Sequence, residues 1–358
     1  MARSRAERLA DRATESGCAA ALVIKPADLR WLTGFTGTSG LALCGSNVRA
    51  FITDFRYTEQ AAAEVEGFDV LICERELNDR ISIALAGAGG RIAFDPTVLT
   101  VDSLDRLREA LPDGWEAEAV KHLVSPLREV KDAGEIGSIA AAASLADEAF
   151  RRTLEAGLVG RTEAEVAWSL ERNIRELGGE GVSFSPIVAA GAHGALPHAS
   201  PRDVAIPEEV LVVIDWGAIV DGYCSDCTRT VATGEVGEEE AAVHGLVLED
   251  QQAAVGALRP GPSGPQIDDI ARGLIAQAGH GEHFGHGLGH GVGLEVHEGP
   301  TLGRSGGEAP LESGMVVTVE PGVYLPGRFG VRIEDLCVVA EGGPRILTGL
   351  ERGMVVAG

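Results

Sequence analysis

The feature that most constrains this chain is an internal duplication. Between residues 135 and 342 the order helix, helix, histidine-bearing loop, acidic β-hairpin occurs twice. Apolar periodicity predicts helices over 135–157 and 161–177 in the first copy, and over 238–258 and 264–278 in the second. Thr162 with Glu165, and Ser263 with Gln266, read as capping boxes that satisfy orphan amides at two of the helix starts. The hairpins are VLVVIDWGAIVDGYCSDCTRTVATG at 210–234 and MVVTVEPGVYLPGRFGVRIEDLCVVAEG at 315–342. Aligning them sets Asp215 against Glu320 and Asp226 against Glu334. Each hairpin is expected to hold its two acids on adjacent strands, facing each other across a short turn. Two such hairpins related by pseudo-symmetry would bring four carboxylates to one point.

Acids in strands this apolar need a reason. Asp215 ends the run VLVVI and Glu320 ends MVVTV, where a solvated face would alternate. Four converging carboxylates stay ionised together only if a cation compensates them, and bound metal is the simplest compensation. The plainer reading is ion pairing with Arg229 and Arg332; the recurrence of the acid pattern in both copies favours metal. His290 adds to that reading. It lies in HFGHGLGHGVGLEVHEGP at 283–300, where glycines permit close backbone approach. The glycines around His286 and His290 argue against a helix there, so the H-E-x-x-H zinc helix is absent; so are G-x-G-x-x-G and G-K-[ST], and a nucleotide site is discarded. Four carboxylates and one imidazole can hold two divalent ions, and an oxygen-rich set favours Mn2+, with Co2+ or Zn2+ as alternatives. Strand alternation puts Cys224 and Cys227 on opposite faces, which suits packing better than joint chelation.

Upstream, strands are expected at 21–24, 40–44, 50–53, 69–73 and 91–94, with helical DFRYTEQAAAEVE and LDRLREAL, which together describe a small α/β domain. KHLVSPLREVKDAG at 121–134 reads as a linker, so the expected domains are 1–130 and 131–358. Thirty Lys and Arg against 54 Asp and Glu leave a net charge of −24, which disfavours nucleic acid and anionic membrane surfaces as partners. The opening MARSRAERLADRATESG lacks the apolar core of a signal peptide, and six scattered cysteines suit free buried thiols in a reducing compartment. Both point to the cytoplasm.

The motifs D-W-G-x-x-x-D-G-Y-C-S-D-C-T-R-T, G-H-G-L-G-H-G-V-G-L-E-V-H-E, V-E-P-G-V-Y and G-V-R-I-E-D resemble those of the Xaa-Pro peptidases of the pita-bread family, the creatinase and aminopeptidase P type. LRWLTGFTGTSG and FITDFRYTEQA are similar to that family's creatinase-like N-terminal domain. The resemblance implies an α/β chain with that small domain followed by a pseudo-two-fold pita-bread catalytic domain. It implies that Asp215, Asp226, His290, Glu320 and Glu334 bind two metal ions and that Glu320 also shuttles the proton. His198 would contact substrate or the tetrahedral intermediate, His297 would hydrogen-bond the scissile carbonyl oxygen, and His286 would line the substrate pocket. Arg332, two residues before Glu334, would support the metal-binding acids.

Within the family, the reading is an aminopeptidase releasing Xaa from Xaa-Pro peptides; the alternative is a prolidase cutting the dipeptide. Prolidases hold the dipeptide's carboxylate with an Arg soon after the H-E motif, whereas here HEGP is followed by Thr301 and the nearest candidate is Arg304. Methionine aminopeptidase and creatine amidinohydrolase fit less well, the first for want of the N-terminal domain and the second of the full ligand set. A third reading, from another class, is a non-catalytic peptide- or protein-binding module. The partners implied are small peptides with proline second, and a second copy of the chain in a homodimer.

Overall fold

A computed structural model describes residues 3–87 and 89–357; Met1 and Ala2 of the opening run and the terminal Gly358 lie outside them. The chain divides into two compact units, Met1–Arg128 and Glu129–Gly358.

The first unit is built on a six-stranded sheet of order β4-β3-β2-β1-β5-β6, from β1 (Ala20–Val23), β2 (Leu41–Gly45), β3 (Arg49–Asp54), β4 (Asp69–Cys73), β5 (Gly90–Phe94) and β6 (Trp115–Ala119). Every residue of β1 and β2 is buried, as expected of central strands covered on both faces. Helices α1 (Arg5–Glu15), α2 (Pro26–Thr33), α3 (Thr58–Glu64), α4 (Ile81–Ala84) and α5 (Val101–Ala110) complete it, and α6 (Ser125–Glu129) runs across the division after Arg128. The strand missing from the sequence-based expectation is β6, whose WEAEA alternates charge as an edge strand does.

In the second unit the four expected helices form as α7 (Ala133–Glu155), α8 (Glu163–Glu176), α9 (Glu238–Ala257) and α10 (Gly264–Gln277). The capping boxes of α8 and α10 are both present, and α7 has a third, Asp132 with Glu135. Where α9 has Gly237 as its cap, Glu238, Glu239 and Glu240 fill the first turn and complement the helix dipole.

The strands correct one expectation. Neither acidic segment is a simple hairpin. In the first copy β8 (Ile187–Ala190), β9 (Leu211–Trp216) and β12 (Cys227–Ala232) form one sheet in the order β12-β9-β8. Between β9 and β12 the chain detours through β10 (Ala218–Val220) and β11 (Tyr223–Cys224), which pair with β7 (Gly181–Val182) in a separate sheet. In the second copy β13 (Gly289–Gly291), β14 (Glu298–Leu302), β15 (Val316–Val319), β18 (Asp335–Val338) and β19 (Arg345–Ile346) form a sheet of order β14-β13-β15-β18-β19. Here the detour is the two-stranded ribbon of β16 (Gly322–Leu325) and β17 (Phe329–Arg332). Asp215 therefore pairs with Thr228 rather than with Asp226, and Val319 pairs with Asp335, so that Glu320 and Glu334 sit just past the end of the ladder.

The helices pack on these sheets. In the first copy the Trp216 ring stacks on Phe150 of α7 at 4.1 Å, and its Nε1–H donates to Ala146 O at 2.9 Å. Burying an indole with its one donor satisfied couples helix to sheet.

Candidate active site

Breaks in the ladders place the acids. Asp215 lies near the end of β9, Asp226 immediately before β12, Glu320 immediately after β15 and Glu334 immediately before β18. Asp215, Asp226 and Glu334 each present a carboxylate oxygen within 4.8 Å of the others. His290, in the middle of β13, points Nε2 at the same place, 3.3 Å from Glu320 Oε1 and 3.6 Å from Asp226 Oδ2. The glycines flanking His290 are a packing requirement: a Cβ at Gly289 would stand 2.1 Å from Thr318 O, and one at Gly291 2.0 Å from Gly299 O. Only a bare backbone lets β13 approach closely enough to deliver that imidazole.

Hydroxyls and one guanidinium hold the carboxylates still. Thr318 Oγ1 accepts from His290 N–H at 3.1 Å and donates to Glu320 Oε1 at 3.1 Å. In the first copy, Thr228 Oγ1 donates to Glu334 Oε2 at 2.8 Å and accepts from Arg332 Nε at 3.0 Å. Arg332 is buried, and it also donates to Asp215 Oδ2 at 2.6 Å, to Tyr324 Oη at 2.9 Å and to Pro197 O at 3.3 Å. Of the two arginines considered as ion-pair partners, Arg332 does pair with a site acid; Arg229 pairs instead with Asp335, at 2.9 Å.

Electrostatics leaves the cluster short of positive charge. Burial raises the pKa of Asp215 despite Arg332. Burial, then the charges of Glu334 and Asp215, drives Asp226 well above the carboxylate range; burial, then Glu320, does the same to Glu334. Glu320 goes the other way, because its hydrogen bond and ion pairing with His290 outweigh burial. Asp215 Oδ1 and Glu334 Oε1 are buried with no hydrogen-bond partner. Orphaned carboxylate oxygens aimed at a shared point are what a cation would satisfy. The orientation of His290 agrees. Its Nδ1 is 3.1 Å from Gly291 O, which can only accept, so Nδ1 carries a proton and Nε2 is the nitrogen turned to the acids; against burial, the Glu320 carboxylate raises the imidazole's pKa and favours a proton on Nε2, the place a cation would take. The residues present fit divalent metal.

These groups form the floor of a cleft of about 520 Å3. His198, His286 and His297 all line it; one wall, with Phe184, Pro186, Ile187 and Pro197, is apolar. The ring of His297 lies 4.1 Å from that of His290. Burial, then the neighbouring His290, lowers the pKa of His297. His286 is likewise depressed by burial, and its Nδ1–H donates to Gly287 O at 2.8 Å while Nε2 accepts from Tyr324 Oη–H at 2.9 Å. Arg304 lies elsewhere: it is exposed and lines an adjoining depression that shares His286, Gly287 and Ser305 with the cleft.

Four contributors escaped the sequence reading. Thr228 and Thr318 sit two residues from Asp226 and Glu320, a period-two relation that could have marked them. Tyr324 carried no such signal. Glu163, the first residue of α8, is buried and accepts from Ala190 N at 3.0 Å, from His193 Nδ1 at 2.9 Å and from three nitrogens of Arg202. It thereby pins both ends of the loop that carries His198. The expectation of free, buried thiols matches all six cysteines, and Cys224 and Cys227 pack into separate hydrophobic clusters.

A metal-ready carboxylate cluster at the floor of a cleft, in a duplicated fold, defines a metallohydrolase. Residues 137–341 match metallopeptidase family M24 and residues 5–130 match the creatinase/prolidase N-terminal domain; the chain belongs to the M24 metallopeptidases, with the pita-bread fold. An uncharacterised peptidase of Bacillus subtilis, YqhT, is 39% identical over 98% of this chain and 99% of its own. Among solved structures, an Xaa-Pro dipeptidase from Bacillus anthracis superposes with a TM-score of 0.94 at 36% identity, covering 98% of this chain and 99% of that one. An X-Pro aminopeptidase from Thermotoga maritima gives 0.90 at 38%, covering 99% and 100%. No helix among the described residues is long and apolar enough to cross a membrane.

Proposed function

We propose that this metallopeptidase is an Xaa-Pro aminopeptidase, releasing the N-terminal residue from peptides with proline in second place. Asp215, Asp226, His290, Glu320 and Glu334 would hold two divalent ions, Mn2+ on the strength of four oxygen donors to one nitrogen. Such a pair supplies an activated water and polarises the scissile carbonyl. The protein's own groups do the rest. His297, whose depressed pKa keeps it neutral, and His198 offer N–H donors to the oxyanion that develops on the carbonyl oxygen. Glu320, oriented by Thr318, would take the water's proton and return it to the proline nitrogen as that tertiary amide breaks. The apolar wall suits a pyrrolidine ring.

One observation carries the preference for longer peptides over the dipeptide. Among the described residues lining the cleft, Arg332 is the one Arg or Lys, and its guanidinium already serves Asp215, Tyr324, Thr228 and Pro197 O. Thr301 lines the cleft without charge. A dipeptide's carboxylate thus meets no unengaged cation there, and Arg304 stands in the adjoining depression. After Mn2+ reconstitution, Ala-Pro-Ala should be cleaved with a higher kcat/KM than Ala-Pro; the reverse order would make the protein a prolidase. Absence of turnover on either, with metal bound, would favour the peptide-binding module.

Three further features belong to the same proposal. The buried free thiols support a cytoplasmic setting. A homodimer, inferred from the family resemblance, would be seen by light scattering. Domain limits of 1–130 and 131–358 would be tested by limited proteolysis, with cleavage expected in 121–134.

A further inference from the structure

The histidine-bearing loop of the second copy, from Phe284 to Leu288, is anchored at its ends by Phe284 and Leu288 in the hydrophobic core, while glycines at 285 and 287 leave the backbone on either side of His286 without side chains. A Cβ at Gly285 would meet nothing within 4 Å. Such a glycine-flanked centre needs its backbone held from outside if His286 is to keep one position. One residue on α10 does so. Arg272 forms a two-pronged ion pair with Asp268, one helical turn earlier, with Nε and Nη2 each at 2.8 Å from a carboxylate oxygen. The same guanidinium donates from Nη1 to Phe284 O and from Nη2 to His286 O, both at 2.8 Å. Asp268 Oδ1 then accepts Leu288 N–H at 3.0 Å. Backbone groups at 284, 286 and 288 are thus tied to one pair on one helix. The face of the guanidinium lies 4.4 Å over the Phe284 ring, and that ring meets His286 edge-on at 5.1 Å.

From this we infer that Arg272 is a positioning residue for the reaction: with Asp268 it locks the 284–288 loop so that His286 presents a fixed ring and tautomer to the cleft. His286 is the end of a hydrogen-bonded chain from Asp215 through Arg332 and Tyr324, so its ring plane is set from both sides, by Tyr324 Oη and by the braced loop. Arg272 lines the adjoining depression and not the cleft, and acts through His286. The role needs the planar fork: lysine offers one compact ammonium that cannot engage a carboxylate in two prongs, two carbonyls and an aromatic face together. The inference rests on the Xaa-Pro reading only for the choice of substrate.

The test is Arg272→Lys, with metal content equalised to wild type. We expect kcat/KM on Ala-Pro-Ala to fall about 10- to 100-fold, as when a supporting group lets a first contact drift. We also expect the 15N resonances of the His286 imidazole, assigned with His286→Asn, to change from one protonated and one bare nitrogen to an averaged pair. Should Arg272→Lys not fold, Asp268→Asn, which keeps an acceptor for Leu288 N–H, is read by the same two measurements. Wild-type kcat/KM, or reduced kcat/KM with unchanged His286 resonances, overturns the positioning role. A wild-type enzyme inert on every Xaa-Pro substrate would overturn the proposed function instead, while the resonances would still decide the brace.

Discussion

The two copies within the catalytic unit reach the same point by different means. In the first, the acids are aspartates, and Asp215 is still inside the ladder, opposite Thr228. In the second they are glutamates, both just past the last ladder pair of Val319 with Asp335. Asp226 has left its ladder as well, so Asp215 is the one acid of the four still paired within a sheet. The copies also exchange support: Arg332 from the second steadies Asp215, and Thr228 from the first steadies Glu334. Only the second copy brings an imidazole to the cluster among the described residues, from β13, and of the four acids Glu320 is the one whose pKa His290 holds below the usual carboxylate range. The first copy turns its loop to His198 and clamps it with Glu163. Duplication thus supplied a symmetric frame, and the chemistry resides in where the copies differ.

The sharpest way to break that picture is at the asymmetric pair. Glu320→Gln or His290→Ala should lower kcat on an Xaa-Pro tripeptide by about a thousandfold or more, since each removes a proposed metal ligand; near wild-type turnover would show that the second copy holds no special role. Next in size is the exchanged support. Arg332→Lys loses the fork between Asp215, Thr228 and Tyr324, and metal affinity measured by calorimetry should weaken about 10- to 100-fold. Unchanged affinity would mean that Asp215 is held by its own copy.

The threonines sharpen the comparison further. Thr228→Val strips a hydroxyl that serves both Glu334 and Arg332, whereas Thr318→Val strips one that serves Glu320 and the His290 amide. Each should reduce kcat/KM about tenfold, the loss expected of one hydrogen bond to a charged group. A large loss in one and none in the other would rank the copies.

The smallest effect concerns two buried acids on the corresponding helices α7 and α9. Asp147 Oδ2 accepts Gly349 N–H at 2.6 Å, but neither oxygen of Asp250 has a hydrogen-bond partner. Burial pushes Asp250 up to about 8. A carboxyl raised in the folded state leaves stability intact below the unfolded value near 3.9, and stability is lost as pH rises toward the folded value. Asp250→Asn should therefore raise Tm by a few degrees at pH 8 and change it little at pH 4. An equal shift at both would place a charge-independent role on that side chain.

Much of this was legible in the residues because it follows from periodicity. Helix-spaced apolar positions and capping boxes located α7 to α10 closely, and acids ending apolar runs marked Asp215 and Glu320. The detours β10–β11 and β16–β17 were not legible, since a strand that leaves one sheet for another keeps the same alternation. Reading each segment as one hairpin therefore set Asp215 against Asp226. Arg272, Tyr324 and Glu163 were hidden for a related reason: each acts on backbone groups or rings far along the chain, and no spacing signals that.

The central claim is that five side chains from the two copies share a pair of cations. Anomalous diffraction from crystals grown with Mn2+ tests it most directly. Two peaks enclosed by Asp215, Asp226, His290, Glu320 and Glu334 are expected; density absent there, with the carboxylates turned apart, would contradict it.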